Sequence, residues 1–345
     1  MNLLRKLLRL LGAALVVLAI VYLLGPSPAK PAYNQQLPQV PAGATELEAY
    51  VHAGEAAHKL RPNNEARIVW YNDSLRRPTD FAMVYLHGFS ASQEEGEPVH
   101  RTLAKTFGCN LYLSRMAEHG LDTTDQLVRL TADEYWESAK RALAIGLQLG
   151  KKVILVGTST GGTQALQLAA TYPQQVAGLL LYSPNIAVNN DKAWLLNNPW
   201  GLQIARLVTG SDYVIPKDTR PIYKQYWNSP YRLEAVVELQ EMLETSMVPE
   251  TFAKIKQPVL LLYYYKDEQN QDVVVRVDAM QQMFDQLGTP AAARRAIAVP
   301  NAGDHVIGSY IKSKDVAGVL QQSTAFLQQV MQLPVQQQFA EAGSN

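Results

Sequence analysis

Ser159 has the clearest chemical promise in this chain of 345 residues. It is the centre of Gly157-Thr158-Ser159-Thr160-Gly161. The buried-strand pattern Lys152-Val153-Ile154-Leu155-Val156 precedes it, and the helical pattern Gly162 to Ala170 follows. Strand, G-x-S-x-G and helix in that order predict a sharp turn that lifts a serine hydroxyl above a sheet edge. Such a turn is strained and crowded, so a Cβ on either flank would clash and glycine is required. A serine hydroxyl becomes a useful nucleophile only with a base, an acid that orients the base, and donors for the oxyanion that forms.

In this arrangement acid and base follow the serine, in that order. Pro258 to Tyr265 reads as a buried strand rich in branched and aromatic residues, and Asp267 is the first carboxylate past it. Arg295 to Val299 reads as one more strand, and the loop Asn301-Ala302-Gly303-Asp304-His305 offers His305 as base. Asp304 is set aside as the acid, because adjacent side chains diverge. For the oxyanion, the backbone N–H of Thr160 is one expected donor. The other is Phe89, which follows the strand Phe81 to Leu86 in His87-Gly88-Phe89. Each donor of this kind contributes about 3 kcal/mol to the transition state.

The remaining reactive side chains read as structural. His87 is expected to brace the oxyanion loop, and His119 to sit in a surface turn. His52, His58 and His100 look like solvated helix positions. No histidine pair has metal-ligand spacing beside a carboxylate, so no metal is expected. Cys109, the one cysteine, heads an apolar strand and reads as a small buried hydrophobe.

These residues need a frame. Thr131-Ala132-Asp133-Glu134 is a capping box opening a helix that Gly150 ends, directly before the serine strand. Ala177 to Ser183 is the strand after the serine helix. Alternating strands and helices predict a mainly parallel sheet covered on both faces. The rhythm stops between Ser183 and Gln257, where helix-like runs and Trp194, Trp200 and Trp227 fall.

Arg5, Lys6 and Arg9 precede the uncharged apolar run Leu10 to Leu24. This predicts a signal anchor over 1–24, with a cleaved signal peptide as the alternative and Ser27-Pro28-Ala29 as its cleavage site. The basic flank would stay in the cytoplasm and the body outside it, periplasmic in a bacterium. Residues 25–44, with five prolines, read as an extended tether. One domain is expected over 45–333, and a loose tail over 334–345. Setting aside the three bases of the anchor leaves 28 basic against 31 acidic residues, which gives no reason to expect nucleic-acid binding.

From about Glu65 to Val330 the chain resembles the α/β-hydrolase superfamily, in its lipase, esterase and serine-aminopeptidase-like branch. The resemblance rests on His87-Gly88-Phe89, the elbow at Ser159, and Asp267 and His305 in the family's order. Arg115 to Gly120 looks like the family's Arg…Gly-His-Gly turn, with Glu118 where the first glycine would stand. The family's pattern leaves Asp272 as a second candidate acid, because the Val-rich stretch after the acid is delayed to Asp272-Val273-Val274. The resemblance implies an α/β-hydrolase fold with a helical cap over 185–257 and a Ser-Asp-His triad without cofactor. Relatives that cleave haloalkanes and epoxides use a carboxylate as nucleophile, so the serine points to acyl transfer. Carboxylic esters, lipid-like given the aromatic cap and the anchor, are the leading substrate class. The alternatives are a peptidase or amidase, for which Glu94, Glu95 and Glu97 could bind a substrate amine, and a non-catalytic binding protein.

Overall fold

Val153 to Val156 and Leu179 to Leu181 are apolar at every position, so their strands need cover on both faces. The computed structural model of the protein provides it, and describes residues 2–336. The part of the expected loose tail at 337–345 lies outside the described residues. First come α1 (Asn2–Leu23), α2 (Ala44–Ala56), β1 (Arg67–Val69), β2 (Thr79–Leu86), α3 (Val99–Thr106) and β3 (Asn110–Leu113). Then follow α4 (Ala132–Leu149), β4 (Gly150–Thr158), α5 (Thr160–Thr171) and β5 (Val176–Tyr182). A long excursion holds α6 (Gly201–Thr209), β6 (Tyr213–Val214), α7 (Pro221–Tyr226), β7 (Tyr231–Arg232), α8 (Leu233–Ser246) and α9 (Pro249–Lys254). The sheet resumes at β8 (Val259–Tyr263), followed by β9 (Tyr265–Asp267), β10 (Asn270–Gln271), α10 (Val277–Gln286), β11 (Arg294–Ala298) and α11 (Val316–Gln329).

The main sheet runs β1-β3-β2-β4-β5-β8-β11. Only β1 is antiparallel to its neighbour, so the other strands present their C-terminal ends along one edge. The pleat sends Val153, Leu155, Leu179 and Leu181 into one core, under α4, α5, α8 and α10. Ile154, Val156, Leu180 and Tyr182 enter the other core, under α3 and α11. The Thr131 hydroxyl accepts from the Glu134 N–H at 3.1 Å, capping α4 as its sequence requires.

Two segments differ from a simple reading of their composition. The excursion after β5 is mostly helical, yet α8 and α9 pack on α4, α5 and α10 and so join the body's own core. The proline-rich stretch is extended but docked. Lys30 pairs with Glu241 at 2.9 Å, and Asp133 accepts from the N–H groups of Ala32 and Tyr33. Trp136, Lys140 and Tyr172 donate to the carbonyls of Asn34, Gln36 and Gln35. The segment is therefore a strap across α4, α5 and α8 rather than a free tether. Ahead of it, α1 is long and apolar enough to cross a membrane, and its apolar stretch is not buried against the body.

Candidate active site

β4 ends at Thr158 and α5 begins at Thr160, leaving Ser159 in the turn at φ 53° and ψ −121°. A side chain is strained there, and surrounding bonds hold it. The Ser159 N–H donates to Tyr182 O at 2.9 Å, and Ser159 O accepts from the N–H groups of Gly162 at 2.8 Å and Asn185 at 2.9 Å. Gly161 answers the crowding, since a Cβ there would lie 1.9 Å from the Leu86 carbonyl oxygen.

His305 lies in the loop after β11, as its sequence position implies, and is buried. Its Nδ1 is 2.6 Å from Oδ2 of Asp272, not of Asp267. Asp272 thus stands beside His305 where Asp267 was expected. Beyond β8 the chain makes a small hairpin, β9 and β10, and Asp267 caps its exposed turn by accepting from Gln269 N, Asn270 N and Asn270 Nδ2. The hairpin returns the chain to Asp272, whose N–H donates to Tyr264 O. Asp272 Oδ1 then accepts from Val274 N at 2.8 Å and Val275 N at 3.1 Å, so both carboxylate oxygens are satisfied in a fully buried position. Desolvation alone would raise the Asp272 pKa, but His305 and the two backbone donors outweigh it and leave it below the usual carboxylate range. Burial likewise opposes a charged His305, yet Asp272 holds its pKa above the ordinary histidine value. With Nδ1–H given to Asp272, Nε2 is left as the basic nitrogen, and it is buried without a hydrogen-bond partner among the described residues. Asp304, the adjacent carboxylate, turns away to Lys312 at 3.2 Å.

The turn after β2 is braced by two histidines. His87 Nε2 accepts from Met116 N at 3.0 Å, which leaves Nδ1–H for Gly88 O at 2.9 Å. Burial pushes its pKa down to about 4, so it stays neutral, as a bracing group should. His119 is buried rather than in a surface turn. Its Nε2 accepts from Ser90 N at 2.9 Å, and its Nδ1 bonds Ala117 O at 2.7 Å. Glu118 before it adopts φ 63°, keeping the left-handed turn that a glycine would form with less strain. His100 is also buried, against the expectation of a solvated position, and bonds Gln93 O. His52 and His58 are exposed and Cys109 is buried, as their settings imply. Among the described residues neither the Phe89 nor the Thr160 N–H has an acceptor.

Glu95 is the residue that pattern reading missed. It is buried beneath the same turn, and its Oε2 accepts from Gly88 N at 2.5 Å. A Cβ on Gly88 would lie 2.9 Å from Glu95 Oε1 and 3.0 Å from the Ser159 Cβ, so Gly88 is the spacer between them. Burial pushes the Glu95 pKa up to about 7. A Gln-Glu-Glu-Gly run gives no sequence signal of burial.

The excursion covers this edge. Tyr231 packs edge-on against Phe89 at 5.3 Å, and Asn228 N donates to Ser90 O at 2.6 Å. Trp227 is buried with Ala91 and Val306, beside both loops. Of the other two tryptophans of the excursion, Trp194 is exposed and Trp200 packs at the end of α1.

A model described as an alpha/beta hydrolase family matches residues 83–317. The chain belongs to the alpha/beta hydrolase family. No curated protein matches it. Among solved structures this hydrolase is similar to one from the metagenome-derived lipolytic enzymes LipS and LipT, at 16% identity and a TM-score of 0.63. That match covers 78% of this chain and 99% of the other. It is similar also to Est1E from Butyrivibrio proteoclasticus with ferulic acid bound, at 16% identity, TM-score 0.54, and 78% and 95% coverage. A monoacylglycerol lipase from Paleococcus ferrophilus matches at 14% identity, TM-score 0.51, and 74% and 98% coverage. At these identities the likeness is one of fold. Beside the turn after β2 of the hydrolase, Phe89, Leu130, Tyr135, Leu239 and Met242 line a shallow apolar crevice with no room for a water molecule in this conformation.

Proposed function

We propose that this hydrolase cleaves carboxylic esters through Ser159, His305 and Asp272. The observation that carries the reading is the buried Asp272–His305 pair, with Nε2 free, on the sheet edge that holds the strained Ser159. His305 Nε2 takes the Ser159 proton as Oγ bonds the acyl carbon, and the carbonyl electrons move to its oxygen. The N–H groups of Phe89 and Thr160 receive that oxyanion. Collapse breaks the ester C–O bond, and His305 returns the proton to the leaving alcohol. Water repeats the sequence on the acyl-serine and frees the acid. Asp272 keeps the imidazole in the required tautomer throughout. No cofactor is needed for these steps.

The peptidase reading called for carboxylates free to bind an amine. Glu95 accepts from Gly88 N, Glu94 accepts from the Tyr310 hydroxyl, and Glu97 pairs with Arg101. All three serve the loop itself, which favours esters. The apolar helix α1 supports a lipid-like substrate, with α1 as a membrane anchor and the body outside the cytoplasm. Ser159→Ala should lower ester hydrolysis at least about 10³-fold with the fold intact. A fluorophosphonate should label the parent and not the variant. Undiminished hydrolysis by a folded Ser159→Ala protein would end this reading, and faster turnover of aminoacyl amides than of p-nitrophenyl esters would move it to amidase.

A further inference from the structure

Helix α6 shows the solvent a face it has no structural reason to show. Leu202, Ala205 and Arg206 are partly covered, with Arg206 hydrogen-bonded to Glu234 at 2.7 Å and ion-paired with Asp212 at 2.6 Å. Ile204, Leu207 and Val208 point the other way and are 39%, 85% and 79% exposed. Their spacing places all three on one stripe of the helix. Single exposed apolar residues are ordinary, but a stripe of three on one short helix asks for a cover.

The position of α6 names that cover. Trp200, the residue before α6, donates from Nε1 to Val21 O near the end of α1, at 2.9 Å. Its backbone N–H donates to Pro26 O, also at 2.9 Å. Gly25 lies so close that a Cβ there would be 2.2 Å from the Trp200 ring. The apolar stripe therefore begins where the membrane-length helix ends. That level of a bilayer is its interface, where tryptophan and tyrosine concentrate and where amphipathic helices lie flat. Trp200 and Tyr22 occupy it here. A second copy of the chain is a poorer fit, because the stripe of one nine-residue helix falls far below the roughly 800 Å² per partner of a stable protein interface.

We propose that the outward face of α6, formed by Ile204, Leu207 and Val208, docks into the lipid interface beside α1. This inference rests on the reading of α1 as a membrane anchor. The excursion that covers the active site would then rest on the bilayer, and an ester dissolved in the leaflet would reach Ser159 without crossing bulk water.

The test uses the full chain in phosphatidylcholine–phosphatidylglycerol vesicles. Cys109 is buried, so Leu207→Cys and the exposed control Ala292→Cys each offer one accessible thiol for an environment-sensitive dye. Nitroxide-bearing lipids should quench the dye at 207 and leave the dye at 292 bright, with soluble-ester hydrolysis retained in both variants. A dye at 207 as bright as that at 292, on protein that floats with the vesicles, overturns the α6 inference and leaves the anchor intact. Protein that fails to float at all overturns both. Shielding from aqueous quencher without quenching by lipid nitroxide would mean that a second copy covers the face, and also refutes lipid docking. In Leu207→Glu/Val208→Glu the hydrolysis of a bilayer-dissolved ester should fall on the order of tenfold, with a soluble short-chain ester unchanged.

Discussion

Two buried carboxylates lie near His305, and burial leaves them in opposite states. Asp272, in the loop after β10, faces an imidazole and two backbone donors, and its pKa lies below the ordinary range. Glu95, beneath the turn after β2, has no ion pair among the described residues, and burial raises its pKa to about 7 against the Gly88 N–H. Desolvation acts on both in the same direction. What differs is the company at the carboxylate: a chargeable ring in direct contact and two backbone N–H groups for one, and for the other a single backbone N–H with weaker help from Tyr85 and His305. Burial alone therefore does not set a carboxylate's state; burial with a partner that can take up positive charge keeps it ionised.

The largest test of this contrast is Asp272→Asn. It keeps the shape but loses the tautomer control, and kcat should fall about 10³- to 10⁴-fold. A loss under tenfold would break the assignment of Asp272. Next is the pH profile of the parent. His305 must be neutral to act as base, so activity should fall as pH drops through its pKa. Because Asp272 raises that pKa, the acid limb of kcat/KM should lie above the ordinary histidine value. A limb below that value would show that the pair is not coupled in solution.

Glu95→Gln sharpens the other side. A carboxyl whose folded pKa exceeds its unfolded one stabilises the fold while protonated, and that contribution is lost as pH rises from about 4.5 through about 7. Parent stability should therefore decline over this window by up to about 3 kcal/mol more than that of the variant. Tyr85, His305 and Asp304 also bear on Glu95, so the comparison is made between parent and variant at each pH by chemical denaturation. Parallel profiles would mean that Glu95 is ionised in the fold at all these values. The smallest effect is expected for Asp267→Asn, less than about twofold on kcat, because its carboxylate only caps an exposed turn.

The frame of this site was legible because it depends on local rules. Continuous apolar strands, the capping box at Thr131 and the glycines around Ser159 each announce their element. The serine, the histidine and the Phe89 turn follow from strand ends on a parallel sheet. The carboxylate that pairs with His305 was legible only as the second candidate, because Lys266 to Gln271 turns a hairpin too short for any periodicity, and the first carboxylate past the strand lies on its tip. One oxygen of Asp272, Oδ1, meets the N–H groups two and three residues on, and that local Asp-Val-Val-Val fit was the available signal. The burial of Glu95, His100 and His119 arises from distant segments closing over them, which no local pattern records. The strap was hidden for the same reason, since its partners are side chains about a hundred residues or more away.

That strap sets a radius. Between the last residue of α1 and the first ion pair of the strap, at Lys30, stand six residues, Leu24 to Ala29. Fully extended they reach about 20 Å. Whatever surface holds α1 also holds the catalytic body within that distance, less than a typical domain's own diameter. The enzyme would then search for substrate in two dimensions, sweeping a thin layer, and its encounter rate would scale with molecules per area rather than per volume.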